Sequence, residues 1–566
     1  MSKKILIVGG VAGGASAAAR LRRHSEDDQI VMFEKGPHVS FSNCCLPYHL
    51  SGTVEKAEDL VLMSPEKFAS QYRIDARISQ EVVAINRQEK TVTVKHVLTG
   101  ETYQESYDKL ILSPGAKPIV PAIPGIEKAQ VFSIRNVVDI DRLNQHIKGT
   151  NPKNISVIGG GFIGVEAVEN LQEAGYKVTL IEAMPQIMKP FDYGMVQILH
   201  KEIIENGVDL IVGDKVVEFN TNSIVLESGR VVESDVVVMA IGVTPETHLA
   251  KDAGLELGKT GGIKVDQNYR TADTNIYAVG DAIEVYGYLF NDNFLLPLAG
   301  PAQKQARSVA DHINGMSIDN RGFIGSSVVK VFGYNAAATG MNEAFIKANN
   351  LNIKYDTVKL IPNDKVGLMP ESHGAHFKLI FEVPTGRILG AQSIGLGNID
   401  KRIDVIATVI KFGGTIYDLK DLELCYAPPF GTAKDVVNFA GYVATNLMRG
   451  DFKQIHASDV RPLVEQGALI VDVREADEYA QSHIKGALNL PLSEIRDRTN
   501  ELPKNQPIYV HCRSGQRSYN AVLALQQMGF NNVFNISGGF MGLSFFEYFN
   551  DVTTKRTPIV TDYNFD

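Results

Sequence analysis

The sequence predicts an α/β protein built from several domains, and three observations predict it. Twice a short apolar strand runs through a glycine-rich turn into a helix, in "KKILIVGGVAGGASAAARLRRH" and in "NISVIGGGFIGVEAVENLQEAGYKVTLIEA". A smaller strand–helix alternation restarts after residue 456, through "ALIVDVRE", "PIYVHCRSGQRSYNAVLALQQMG" and "NNVFNISGGF". At 566 residues the chain exceeds what one core holds, so three or four domains are expected.

The first unit ends its second strand, "QIVMFEK", at Glu34, whose carboxylate can accept hydrogen bonds from a ribose. Gly9 and Gly14 fit a pyrophosphate-binding turn at a helix N-terminus, while Val11 stands where a middle glycine belongs. The second unit is complete. Gly159, Gly161 and Gly164 keep the G-x-G-x-x-G register, and Glu182 closes the following strand. An acid there accepts from a 2′-hydroxyl and repels a 2′-phosphate, which favours NADH, with NADPH the poorer donor.

Composition excludes several classes. A formal charge of −9 leaves no basic footprint for nucleic acid, and 44% hydrophobic with 21% charged residues is ordinary for globular chains. The lysines of "MSKKILIVGG" precede an apolar run too short for a signal peptide, so the segment reads as a first strand. No uncharged apolar stretch suffices for a membrane span. Four cysteines cannot staple a chain this long and fit a reducing cytoplasm. No metal site is expected.

Two dinucleotide modules suggest a flavoprotein fed by a nicotinamide. "TADTNIYAVGDAIE", with Gly280-Asp281, resembles the second flavin motif of the pyridine nucleotide-disulfide oxidoreductases, and "LILSPGAKP" and "VVMAIGVTPE" resemble their connecting segments. The likeness runs from residue 1 to about 445. It implies Rossmann-like FAD- and NAD(P)-binding domains, with an FAD domain at 1–150 and 276–324, an NAD(H) domain at 151–275, and an α+β dimerisation domain at 325–447 that makes a homodimer. The cofactor-binding residues it implies are Gly9, Val11, Ala12, Gly13, Gly14, Glu34, Lys35, Val82, Ser113, Gly115, Arg135, Asp281, Ala299, Gly159, Gly161, Phe162, Ile163, Gly164, Glu182 and Gly242.

Cysteine usage narrows the chemistry. "SFSNCCLPYH" has no second cysteine at C-x4-C spacing and resembles the single-cysteine branch "S-F-x-N-C-G-L-P-Y", which includes coenzyme A-disulfide reductases, NADH oxidases and NADH peroxidases. On that pattern Cys44 is the redox cysteine and Cys45, a small core residue, replaces a glycine. A lone thiol must cycle through a mixed disulfide, a persulfide or a sulfenic acid. A helix N-terminus or a cation beside it would favour the thiolate. "CYAPPF" resembles the segment whose tyrosine, here Tyr426, reaches the active cysteine of the other subunit. Coenzyme A needs cations. The resemblance implies Arg20, Arg23, Ser40, Asn43 and Lys67 as its contacts. The second tyrosine common in these enzymes is replaced within "IPNDKVGLMPES" by Leu368 and Met369.

After a linker near 448–456, residues 457–560 form the third unit. Cys512 ends a strand, and "CRSGQR" leads into a helix, so consecutive N–H groups can cradle an anion at the helix N-terminus. "DVRE", "HIKGALNLP" and the six-residue loop closed by Arg517 resemble the rhodanese family. This implies sulfane sulfur on Cys512, with Arg517 neutralising a bound anion and Asp472 and Arg474 supporting the loop. The whole resembles coenzyme A-disulfide reductase–rhodanese fusions. The expected function is NADH-driven, FAD-dependent reduction of persulfides or polysulfides, coenzyme A persulfide included. Coenzyme A-disulfide reduction with a separate sulfurtransferase activity, NADH oxidase or peroxidase chemistry, and a non-catalytic redox sensor are the alternatives.

Overall fold

A computed structural model describes residues 2–565, which divide into two compact units. The first takes the chain up to Pro185 and then Ile211–Phe323. The second takes Gln186–Leu210 and everything from Ile324 onward.

The first unit holds two parallel sheets. In one, Ile276–Ala278, Lys109–Leu112, Lys4–Val8, Gln29–Glu34 and Ile74–Ile78 neighbour one another in that order. The central strand Lys4–Val8 is apolar at nearly every position because both faces are covered. In the other sheet Lys177–Glu182, Asn154–Ile158, Val236–Met239 and Val131–Ser133 are neighbours. The helix Ala12–His24 is alanine-rich, and its last turn carries Arg22, Arg23 and His24 where the helix dipole favours cations. Two segments depart from the expected boundaries. Val131–Ser133 joins the second sheet from upstream of residue 151. Leu249, Leu255, Ile263 and Tyr269 belong to the core of the first sheet.

The second unit begins with an antiparallel sheet, ordered Ser326–Val331, Tyr334–Gly340, Ile388–Gly395, His376–Glu382 and Tyr355–Leu360. A small parallel sheet follows, with Lys453–Ile455, Val533–Ile536, Ile508–His511, Ile470–Asp472 and Leu488–Asn489 in order. The two sheets are tied together: Gln454 Nε2 donates to the Thr357 carbonyl at 2.7 Å.

Residues 186–210 belong here rather than with the module that flanks them in sequence. The helix Tyr193–Glu205 buries Met195, Val196, Ile198 and Leu199 together with Gln197 and His200, so more than one face needs a partner. The long final helix, Gly539–Thr554, covers one side, with Phe546 edge-on to Tyr193 and Asn550 Nδ2 donating to the Tyr193 hydroxyl at 2.9 Å. Buried charge fixes the other end. The Asp192 carboxylate accepts from Lys378 Nζ and Gln392 Nε2, both at 2.8 Å, and from the Glu343 N–H at 2.9 Å. Lys378→Met would strand that carboxylate without its cation, and removing one partner of a buried pair costs about 3–5 kcal/mol. We expect a lowered unfolding temperature in a thermal scan of Lys378→Met and an unchanged one for Lys401→Met, whose ion pairs are exposed.

Candidate active site

At the end of strand Lys4–Val8 the chain turns at Gly9, with φ of +95°. A Cβ on Gly9 would lie 2.0 Å from the Ser113 carbonyl oxygen, and one on Gly14 would lie 1.8 Å from the Gly9 oxygen. Only glycine fits either position. Glu34 then accepts from the Gly10 N–H at 2.9 Å and the Gly36 N–H at 2.8 Å. The second turn repeats this geometry. Gly159 has φ of +108° with Ala240 oxygen 2.4 Å from its built Cβ, and Glu182 accepts from Gly160 at 2.7 Å and Met184 at 2.8 Å. Nothing lies within 4 Å of a Cβ built on Gly161, so the N-terminus of the helix Phe162–Glu173 is open to an approaching pyrophosphate.

The other expected cofactor residues gather around these turns. Val11 caps the helix that Ala12 and Gly13 begin, and Ser113 Oγ lies against Gly13. Arg135 donates to the Ala116 carbonyl at 2.8 Å, lies 3.5 Å from the Asp281 carboxylate and crowds Gly115. Burial nonetheless raises the Asp281 pKa. Ala299 opens the helix Ala299–Ile313, Phe162 and Ile163 open the second glycine helix, and Gly242, at φ of +114°, follows strand Val236–Met239. Lys35 is exposed beyond Glu34. Val82 is a correction in part: its side chain belongs to the core, leaving only backbone for a ligand. Two open helix N-termini, each with a ribose-level carboxylate, suit two dinucleotides. FAD and NADH bound there would supply the electron pair for reduction.

Cys44 lies in a 3-10 turn, Asn43–Cys45, followed by a second, Pro47–His49. His49 anchors the second through Val54 oxygen and Asn144, both at 2.8 Å. Ser51 donates to Asn170 of the second glycine helix at 2.6 Å. All four cysteines are free thiols. Burial pushes the Cys44 thiol up, and Glu166, Cys45 and Asp281 push it further. Glu166 itself is pushed up to about 7 by burial and then by Glu169. The hydroxyl of Tyr48 is raised by burial and by the same two acids.

In the second unit Cys512 follows strand Ile508–His511 and precedes helix Gln516–Gln527. The Gly515 N–H donates to its sulfur at 3.1 Å, and the Ser518 hydroxyl lies at 3.5 Å. Phe540 N–H donates to the Cys512 carbonyl at 2.8 Å, and a Cβ on Gly539 would sit 2.6 Å from that oxygen. Asp472 and Arg474 form a buried pair at 2.6 Å, with Arg474 also donating to the Ser482 carbonyl. Both terminal nitrogens of Arg517 bond Glu478, at 2.6 and 2.7 Å, and the guanidinium also meets the Cys512 sulfur.

Comparison with known proteins decides the family. Residues 3–306 match the pyridine nucleotide-disulphide oxidoreductase model, residues 326–436 its dimerisation domain, and residues 456–544 the rhodanese-like domain. The chain belongs to the pyridine nucleotide-disulphide oxidoreductases. It is an NAD(P)H-dependent flavoprotein oxidoreductase carrying a rhodanese-like domain. It is 34% identical over 443 residues to the coenzyme A disulfide reductase of Staphylococcus aureus, spanning 78% of this chain and 99% of that one. The reduced Bacillus anthracis protein CoADR-RHD is 46% identical with a TM-score of 0.94, over 97% of this chain and 99% of that one. An NAD-dependent persulfide reductase from A. fulgidus is 32% identical with a TM-score of 0.90, over 95% and 99%.

A cavity of about 340 Å³ in this oxidoreductase's first unit is lined by Arg20, Arg23, Ser40, Phe68, Tyr72 and Arg307, among others. Asp311 engages Arg20 at 2.7 Å and His24 at 2.7 Å, leaving an excess of cation. Two expected contacts are not brought in. Lys67 points outward, because Phe68 and Tyr72 share the cavity-facing side of helix Pro65–Tyr72 and Lys67 falls one position off it. Asn43 is not among the lining residues, and its buried Oδ1 has no partner. Tyr426 lies in the second unit and is 50% exposed.

Sequence reasoning missed Arg307, Tyr72 and Glu166. Glu166 and Glu169, at i,i+3 within the otherwise apolar stretch 162–169 of helix Phe162–Glu173, were the available signal for the last. Because the Glu166 carboxylate adds to burial in raising the Cys44 pKa, Glu166→Gln should move the pH profile of Cys44 alkylation to lower pH. Peptide mass spectrometry of the Cys44 fragment reads it, and an unmoved profile would contradict the assigned cause.

Proposed function

We propose that this oxidoreductase uses NADH to reduce persulfides or polysulfides, coenzyme A persulfide included, at Cys44, and that Cys512 carries sulfane sulfur. The arginine-lined cavity supports the reading most directly. Arg20, Arg23 and Arg307 offer charge-assisted donors to phosphates, while Phe68 and Tyr72 offer an apolar and aromatic wall. Ser40 lies on this wall, four residues before Cys44 in the chain.

In the proposed reaction the Cys44 thiolate attacks the terminal sulfur of R–S–SH. The S–S bond breaks, R–S⁻ leaves, and Cys44 holds a persulfide. An electron pair from NADH, delivered with a proton, cleaves that persulfide to sulfide and the Cys44 thiolate. Glu166, at about 7, can hold or release a proton near neutrality in this neighbourhood. Glu182, bonded to its own turn, leaves no room for a 2′-phosphate charge, which favours NADH. The match to a dimerisation domain and the exposure of Tyr426 and Phe430 support a homodimer in which Tyr426 serves the Cys44 of the other copy. Four free thiols support a reducing, cytoplasmic setting.

The test is anaerobic NADH oxidation with coenzyme A persulfide beside coenzyme A disulfide at matched concentration. We expect the persulfide to be the faster substrate and Cys44→Ser to abolish both rates. A faster disulfide would make coenzyme A-disulfide reduction the activity, as the name of the Staphylococcus aureus relative suggests. Arg307→Ala should raise KM for coenzyme A persulfide about tenfold, since one charge-assisted contact is worth about 1.5 kcal/mol. It should leave KM for a small alkyl persulfide unchanged.

A further inference from the structure

The rhodanese-like loop carries an ion pair that sulfur transfer itself does not use. Arg517 closes the loop and is met face to face by the Glu478 carboxylate, at 2.6 and 2.7 Å. Glu478 comes from helix Ala476–Gln481 and also accepts the Glu475 N–H at 3.3 Å, completing that helix's capping box. The two side chains are 34% and 29% exposed. One full negative charge thus stands against the loop's closing cation.

The remaining groups at the Cys512 sulfur are neutral, namely the Gly515 N–H and the Ser518 hydroxyl. Behind the loop, Asp472 and Arg474 cancel each other, and burial keeps the His511 pKa below its ordinary value. Arg513 is exposed at the rim.

We propose that Glu478 is a positioning residue that sets donor specificity: by balancing Arg517 it leaves Cys512 suited to persulfides reacting as uncharged –S–SH groups and poorly suited to dianionic sulfur donors such as thiosulfate. This deepens the reading of Cys512 as a sulfane-sulfur carrier and rests on it. With a persulfide, the Cys512 thiolate attacks the terminal sulfur of R–S–SH, the S–S bond breaks, and R–S⁻ leaves while Cys512 becomes Cys512–S–SH. With thiosulfate the same thiolate attacks the outer sulfur, sulfite leaves as a dianion, and Cys512–S–S⁻ remains. No electrons enter or leave in either case. The two donors deliver the same atom and differ in charge. An unopposed guanidinium would stabilise both the incoming and the departing dianion, and the paired one does so weakly. One extra charge beside the loop's closing cation, at a partly exposed site, is worth on the order of tenfold in rate.

The experiment measures sulfur loading on Cys512 in the full-length protein, by mass spectrometry of the Cys512 peptide, with thiosulfate and with 2-hydroxyethyl persulfide. Glu478→Gln removes the charge and keeps a capping-box side chain. We expect the thiosulfate rate constant to rise about tenfold, the persulfide rate constant to change less than about twofold, and the thiosulfate reaction to become steeply salt-dependent. An unchanged ratio of the two constants, or a parallel fall in both, overturns the proposal. A second measurement needs no variant. In the wild-type protein the thiosulfate rate should be nearly flat with ionic strength, and a steep decline would reveal an unbalanced cation and overturn it as well. Wild-type protein that loads sulfur on Cys512 from neither donor would defeat the carrier role itself, an outcome distinct from an unchanged ratio.

Discussion

Strand end, helix start and neighbouring strand end meet at Gly9 in a space that has no room for a Cβ. The obstructing atom is the Ser113 carbonyl oxygen, part of the backbone, so no side-chain rearrangement can relieve a substitution there. The consequences run outward along the chain. Because the turn is tight, the Gly10 N–H is free for Glu34, and the Gly10 carbonyl accepts the Ser40 N–H at 2.7 Å. Ser40 in turn holds Leu62 through its carbonyl, at 2.8 Å. The segment bearing Cys44 is therefore hung from the same turn that receives a dinucleotide. Gly159 and Gly164 reproduce the first half of this arrangement around Ala240, and the Ser51–Asn170 bond ties that second helix to the cysteine's segment. One steric rule, used twice, sets the positions of both cofactor turns and of the thiol.

Charge is distributed unevenly within that first unit. The cavity collects Arg20, Arg23 and Arg307, whereas Cys44, an exposed residue, has Glu166 and Asp281 among its charged neighbours. The separation means that affinity and reactivity are governed by different residues. The cations line the cavity, and the carboxylates stand near the thiol.

What the sequence revealed and what it hid follow from the same physics. Gly9, Gly159, Glu34, Glu182 and the Cys512 loop were legible because each occupies a position only one or two residue types can fill. Arg20 and Arg23 were legible as a pair on one helix face, yet Arg22, between them, is buried and donates to four carbonyls, of Tyr72, Ser25, Asp28 and Arg73. Lys67 failed by a single helical position. Glu478 was invisible for another reason, since its role arises from a partner distant in sequence, Arg517. The displacement of residues 186–210 was hidden too. A helix apolar on several faces states that it needs neighbours without stating which.

The two reactive thiols have opposite local solutions. Cys512 finds hydrogen-bond donors within its own loop, and its carbonyl is gripped by Phe540 under the close approach of Gly539. The Gly515 N–H and the Ser518 hydroxyl are placed to meet a sulfur anion there, and the loop's arginine is shared between that sulfur and Glu478. Cys44 has carboxylates for neighbours instead, so an anion on its sulfur must draw its stabilisation from bound groups. A site preorganised for a sulfur anion can store one between turnovers. A site that opposes the anion until its ligands arrive suits a step that should proceed only when reductant and substrate are both in place. The two cysteines thus stand in opposite electrostatic surroundings, one among the donors of its own loop and one near carboxylates, before any difference in substrate is considered.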